Sequence, residues 1–145
     1  MLGYPAPNAG KPFARKVMRV IKANEEDIQN EGRALDVLMS NGHHDNIVDV
    51  LKHGWLETAG QVYFVDMELA DLSLADYIKY AFHSGPLPEY CREFGPACPS
   101  RDCDKVTRLH ATFVVGCQIA RGLEYMHNLC QGHRDLKPSN GMCRT

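Results

Sequence analysis

The residues best suited to chemistry lie near the end of the sequence, in the run His133-Arg134-Asp135-Leu136-Lys137-Pro138-Ser139-Asn140. Asp135 carries a carboxylate that can orient a hydroxyl group and accept its proton. Asn140, on the far side of a short turn, carries an amide oxygen that can bind a magnesium ion. Such a turn can direct both groups into one cleft. A plainer interpretation is a surface turn in which Asn140 only caps the backbone, so the elements upstream must decide between the two.

The run fits the catalytic-loop pattern H-R-D-L-x-x-x-N, and on these residues the chain resembles a eukaryotic protein kinase of the serine/threonine type. The resemblance implies that Asp135 is the catalytic base, that Lys137 contacts the transferred phosphate and that Asn140 holds magnesium. Lys137 is the residue typical of serine/threonine kinases at this position. The implied cofactors are ATP and Mg²⁺, and the implied partner is a protein substrate.

A strand predicted over residues 12–21 contains Ala14-Arg15-Lys16. This tripeptide is similar to the A-x-K of the third kinase strand, whose lysine binds the α- and β-phosphates of ATP. The resemblance therefore places Lys16 on the phosphates and adds Ala14 to the cofactor-binding set. Without the rest of the pattern, a lysine on a strand is usually a solvent-exposed charge.

The next element is a helix predicted to begin at Asn24, a favourable N-cap that is followed by acidic residues. Ile28, Glu31 and Leu35 recur at helical spacing and share one face, so Glu31 lies within an apolar stripe. A carboxylate in that position needs a cation, and Lys16 is the natural partner. The expected pair resembles the lysine–glutamate pair of kinases. In the alternative, Glu31 lies exposed at the edge of the stripe.

Two further strands are predicted, over residues 47–51 and 61–69. The first follows a segment similar to the H-x-N-I-V of kinases, and the second is similar to the strand that leads into the kinase hinge. By this resemblance Met67 is the gatekeeper beside adenine, Glu68 and Ala70 supply backbone contacts, and Met142 lies beneath the base. In a simple meander strand, Met67 would be a core residue in the same place.

The second half of the sequence contains two predicted helices, one beginning at Leu72 and one over residues 105–130. The long helix includes a segment similar to the A-x-G-L-x-Y-L-H that precedes a kinase catalytic loop. Residues 83–104, rich in proline, are predicted to form an inserted loop. Its Cys91, Cys98 and Cys103, with His83, could hold zinc, but their spacing fits no familiar finger and favours ordinary thiols. The segment after Asn140 is a poor start for a strand.

These elements predict an α+β, protein-kinase-like fold that is incomplete. Residues 1–10 are expected to be disordered, 11–70 to form part of a small lobe with the hinge, and 71–145 to form part of a large lobe. A net charge of −2 gives no indication of nucleic acid or membrane binding. The absence of a signal-peptide pattern or a long apolar run predicts a cytoplasmic or nuclear protein.

The 145 residues contain no G-x-G-x-x-G before Lys16 and no D-F-G after Asn140. Both belong to the kinase signature, so we expect a truncated domain with little activity on its own. The apolar stripe of the long helix would then lack part of its cover, and a large exposed apolar patch indicates a partner. The alternative function is thus a non-catalytic, kinase-like interaction module that binds a partner protein or a full-length kinase.

Overall fold

The computed structural model describes residues 12–19, 25–56, 62–82 and 105–144. The chain divides into two compact units, Met1–Leu69 and Ala70–Thr145. Within the described residues, the first combines a sheet with one helix, and the second contains two α-helices, one short 3₁₀ helix and two very short strands. The predicted α+β class is therefore confirmed. The expected disorder of residues 1–10 and the loop over 83–104, with its candidate zinc ligands, fall outside the described residues.

The sheet of the first unit consists of strands β1 (Phe13–Arg19), β2 (Val50–Trp55) and β3 (Val62–Glu68) in the antiparallel order β1-β3-β2. β3 is the central strand, and its residues Tyr63 to Asp66 are all buried. The prediction of a strand over 61–69 is confirmed. The prediction over 47–51 is wrong in position, because the Ile47 N–H donates to the His44 carbonyl in a turn that delays the start of β2.

Helix α1 (Glu25–Asn41) packs against one face of this sheet. Ile28 is buried with Tyr63 and Val65, which lie on the same side of β3 because strand side chains alternate. Half-buried apolar side chains surround these three, namely Met18, Leu35, Val50 and Met67. This small cluster is the core of the first unit.

The opposite face of the sheet carries a buried carboxylate. Asp66 is 6% exposed, and Arg15, its cross-strand neighbour, donates two hydrogen bonds to it at 2.6 and 2.8 Å. The same guanidinium lies 4.7 Å above the ring of Phe64. An unpaired buried carboxylate would destabilise the fold, so this bidentate ion pair explains how the central strand can contain an acidic residue.

The second unit begins with strand β4 (Leu72–Ser73) and helix α2 (Leu74–Phe82). The prediction that the helix begins at Leu72 is wrong by two residues. Ser73 is the N-cap, because its hydroxyl accepts a hydrogen bond from the Asp76 N–H at 3.1 Å, and Leu72 pairs with Cys143 of strand β5 (Met142–Cys143). The prediction that the segment after Asn140 is a poor start for a strand is wrong, because Met142 and Cys143 form one.

Helix α3 (Lys105–Asn128) precedes the loop over residues 133–140, which fits the catalytic-loop pattern and is called the catalytic loop below. It ends before residue 130 because Cys130 adopts a left-handed conformation, with φ of 56°, and the Gln131 N–H donates to the Met126 carbonyl. This is the hydrogen-bond pattern of a Schellman cap. Within the described ranges, no helix combines the length and the apolar character needed to cross a membrane.

Candidate active site

The catalytic loop begins with a tight turn centred on Arg134. The Asp135 N–H donates to the His133 carbonyl at 2.7 Å, and Arg134 has a φ of 59°. A positive φ is uncommon for a residue with a Cβ, and strained backbone of this kind clusters at functional sites. The turn leaves the Asp135 side chain 64% exposed, so the carboxylate is open to a substrate.

Asp135, Lys137 and Asn140 come together in this loop. The Lys137 Nζ lies 2.8 Å from Asp135 Oδ2, and the Asn140 Nδ2 donates to the same oxygen at 2.9 Å and to the Asp135 carbonyl at 2.8 Å. A short 3₁₀ helix over Pro138–Asn140 sets the position of Asn140. Because the amide nitrogen makes both bonds, the amide oxygen of Asn140 is the atom left for a cation.

These contacts control the charge of the site. The hydrogen bond from Lys137 lowers the pKa of Asp135, and smaller contributions come from Asn140 and from the charges of Lys137 and His133. Asp135 is therefore ionised at neutral pH and can accept a proton or orient a hydroxyl. Beside it, the Nδ1 atom of His133 is buried and has no hydrogen-bond partner among the described residues.

The donor atoms of the loop fit magnesium. Mg²⁺ prefers oxygen ligands, and the loop presents the Asn140 amide oxygen next to an ionised carboxylate. A magnesium–phosphate group would also find the ammonium of Lys137 within the same cluster. The magnesium role of Asn140 and the phosphate role of Lys137 remain predictions.

Lys16 and Glu31 form the second pair of site residues, within the first unit. The Lys16 Nζ lies 2.7 Å from Glu31 Oε1, and the two side chains are 52% and 38% exposed. Lys16 is opposite Val65 in the register, which places it on the face of the sheet that α1 covers. The pair is present as the helical pattern indicated, while binding of ATP phosphates by Lys16 stays a prediction.

The predicted adenine-binding residues lie at the end of β3. Ala14 is opposite Met67 in the register, and Met67 packs on the core of the first unit. The Glu68 N–H donates to the Asp49 carbonyl at 3.0 Å, and the Glu68 carboxylate accepts from the Asp49 N–H. This reciprocal pair holds the end of the strand. Ala70 is half-buried two residues further on. Contacts of these residues with adenine stay predictions.

Met142 lies on β5, opposite Ser73, and is 46% exposed. Beside it, the Leu74 N–H donates to the Gly141 carbonyl at 2.7 Å, so β4 and β5 tie the end of the catalytic loop to the start of α2. The amino-acid pattern does not predict this attachment, because two-residue strands show no periodicity. The one signal in the sequence is the apolar Leu72 ahead of the capping Ser73.

Among curated proteins the sequence finds no match. The family model described as "Protein kinase domain" matches residues 6–145, which is nearly the whole chain. The chain belongs to the protein kinase domain family.

Proposed function

We propose that this chain carries the phosphate-binding lysine and the catalytic loop of a protein serine/threonine kinase. The reaction would move the terminal phosphoryl group of ATP to a serine or threonine hydroxyl of a protein. The observation that carries the proposal is the cluster in which the ionised Asp135 contacts both Lys137 and Asn140. Its three members match the carboxylate, cation and amide that this chemistry requires.

Each residue has a separate task in the proposed reaction. Asp135 orients the attacking hydroxyl and accepts its proton, while Lys137 neutralises charge on the phosphate being transferred. The amide oxygen of Asn140 would hold the magnesium ion, and the bound ion would supply positive charge to the nucleotide phosphates. The proposed serine/threonine specificity rests on Lys137, the residue typical of serine/threonine kinases at this position. Its ammonium lies 2.8 Å from the carboxylate of Asp135.

The first unit supplies the nucleotide contacts. Lys16 binds the α- and β-phosphates, and Glu31 holds the lysine ammonium in position at 2.7 Å. Ala14 and Met67, paired in register, border the adenine together with backbone groups of Glu68. Ala70 and Met142, which belong to the second unit, are the further adenine contacts that the kinase resemblance implies. The proposed location is cytoplasmic or nuclear, where ATP is plentiful, and the thiols of Cys117 and Cys130 are free, as in a reducing compartment.

A thermal-shift measurement tests nucleotide binding. Millimolar ATP with magnesium should raise the melting temperature of the chain, and Lys16→Ala should abolish that rise. The matched control is Lys79→Ala, which removes an exposed lysine of α2. A rise that survives Lys16→Ala would contradict the assigned role of Lys16.

A second candidate, a kinase-like interaction module, is favoured by the surface of α3. Val106, Leu109 and Phe113 are 76%, 72% and 70% exposed and recur at helical spacing. Such an apolar stripe is typical of a surface that binds another protein, here a partner or a full-length kinase. Failure of millimolar ATP to change the melting temperature, together with binding to a kinase domain that Phe113→Glu abolishes, would favour this function.

A further inference from the structure

A chain of three polar side chains connects α1 to the two strands beneath it. The Tyr63 hydroxyl of β3 lies 2.6 Å from Nδ1 of His53 on β2. The other ring nitrogen of His53, Nε2, lies 3.2 Å from Oδ1 of Asp36 on α1. Three elements of the first unit are thus joined by one hydrogen bond and one close contact between a ring nitrogen and a carboxylate oxygen.

The polar atoms of His53 and Tyr63 need partners because both side chains are buried or nearly so. Tyr63 is 5% exposed and the side chain of His53 is 11% exposed, so their polar atoms have little access to water. The hydroxyl and Nδ1 share a hydrogen bond, while Nε2 faces the carboxylate of Asp36. Asp36 itself is 73% exposed, which means that the chain begins in the core and ends at the surface of the helix.

The buried end of this chain lies beside the helical turn that bears Glu31. A Cβ atom on Gly32, the next residue, would be 2.7 Å from the Tyr63 hydroxyl, so the hydroxyl occupies a notch that only glycine leaves open. Burial raises the pKa of Tyr63, and the negative charges of Asp36 and Glu31 raise it further, which is consistent with both carboxylates lying near the hydroxyl.

Apolar packing alone does not account for the placement of Glu31. The contacts of Ile28 with Tyr63 and Val65 hold α1 on the sheet, but apolar contacts have no preferred direction. The 2.7 Å bond between Lys16 and Glu31 requires the rotation and height of the helix to be fixed closely. The contact of Asp36 with His53 on β2 and the close fit of Gly32 against the Tyr63 hydroxyl on β3 supply that constraint.

We propose that Asp36, His53 and Tyr63 act as positioning residues that fix α1 so that Glu31 reaches Lys16. The inference deepens the proposed function and rests on it, because the placement of Lys16 affects catalysis only if this lysine binds the nucleotide. None of the three residues touches the substrate. They act through Glu31, and their effect should be visible in the Lys16–Glu31 pair itself.

The test is a double-mutant cycle that uses the full chain without nucleotide. The urea midpoint is measured for four chains: the unchanged chain, Lys16→Met, Glu31→Gln and the double variant. The coupling is the difference between the change in midpoint of the double variant and the sum of the changes in the two single variants. The cycle is then repeated in three backgrounds. Asp36→Ala removes the carboxylate contact with His53, Asp36→Asn keeps a polar oxygen next to its Nε2, and Asp27→Ala removes an exposed acid elsewhere on α1.

We expect the coupling to be kept in the Asp27→Ala and Asp36→Asn backgrounds and to fall by at least half in Asp36→Ala. Asp36 is exposed, so these variants should fold. Equal coupling in all backgrounds, or none in the unchanged chain, would overturn the proposal. Rescue by asparagine separates the local polar contact from a general loss of stability. Since no nucleotide is present, a chain that does not bind ATP would still show the coupling, so failure of the proposed function would be distinguishable.

Discussion

The hydroxyl oxygen of Tyr63 lies 2.7 Å from the point where a Cβ atom on Gly32 would be. Glycine in the middle of a helix normally lowers stability by about 1 kcal/mol relative to alanine. Here the glycine allows a buried tyrosine to approach the helix and to bond to His53. The close approach of Tyr63 to Gly32 therefore makes glycine more favourable than alanine at this helix position.

Gly32→Ala should destabilise the first unit. The added methyl group would push against a ring that is buried and hydrogen-bonded, and overpacking of this kind costs about 1–3 kcal/mol. The gain in helix propensity is smaller, at about 1 kcal/mol. Tyr63→Phe removes the clashing oxygen, so the double variant should be more stable than the sum of the single effects predicts. Urea denaturation of all four chains measures this. Strictly additive effects would show that the two residues are not in contact.

His43 should make stability depend on pH. Hydrogen bonding to Asp49 is the largest of the effects that raise the pKa of His43 above 6.5, and Asp45 adds to it. A raised pKa in the folded state means that protonated His43 stabilises the fold below its ordinary pKa, and that this contribution disappears as the pH rises through the folded-state pKa. The free energy of unfolding should thus decrease from mildly acidic to alkaline pH. His43→Asn should flatten that dependence, and an unchanged slope in this variant would contradict the assignment.

Asp135 should remain ionised down to acidic pH. Its pKa is lowered chiefly by the hydrogen bond from Lys137, so the stabilisation it provides is present above its ordinary pKa of 3.8 and is lost as the pH falls through the folded-state value. In Lys137→Met, carboxyl chemical shifts should report a higher pKa for Asp135. An unchanged value would mean that the ammonium does not contact the carboxylate in solution.

The 145-residue chain, assayed alone, should transfer no measurable phosphate. Its residues include Lys16 and the catalytic loop but no D-F-G aspartate, which kinases use to hold magnesium. A radiometric assay with a generic serine/threonine substrate and Asp135→Asn as the blank measures this. Turnover that disappears in Asp135→Asn would show this expectation to be wrong.

Ser73→Ala should weaken the start of α2 by about 1 kcal/mol, the usual effect of removing an N-cap hydroxyl. The hydroxyl accepts from the Asp76 N–H at 3.1 Å and donates to its carboxylate at 2.6 Å. Ser73→Thr keeps the hydroxyl and serves as the matched control. Amide hydrogen exchange of residues 74–77 should accelerate in Ser73→Ala only, and equal exchange in both variants would argue against the cap.

Local periodicity was sufficient to predict several features. Helical spacing placed Glu31 on the covered face of α1, and the apolar run of β3 marked the central strand. The apolar stripe of α3 was also predicted to be partly uncovered, and Phe113 near its start is exposed while Met126 near its end is buried.

Features that depend on contacts between distant residues could not be predicted in this way. Nothing near His53 in the sequence indicates that its ring joins Asp36 to Tyr63, because the three residues meet only when helix and sheet pack together. The start of β2 was misplaced for a similar reason, since a turn at His44 competes with extended backbone there. The first residue of a helix that is set by a single serine, such as Ser73, cannot be predicted from periodicity, which leaves helix ends uncertain by one or two residues.

The pairing of Leu72 with Cys143 has a consequence for how the second unit assembles. Almost the entire length of that unit separates the two residues along the chain, so their ladder closes a very long loop, and contacts of this kind form late because chain entropy opposes them. During synthesis, Asp135 and Asn140 would reach their final positions only after Cys143 has left the ribosome. Until that moment the helices of this unit would be present without the strand pair that anchors the loop.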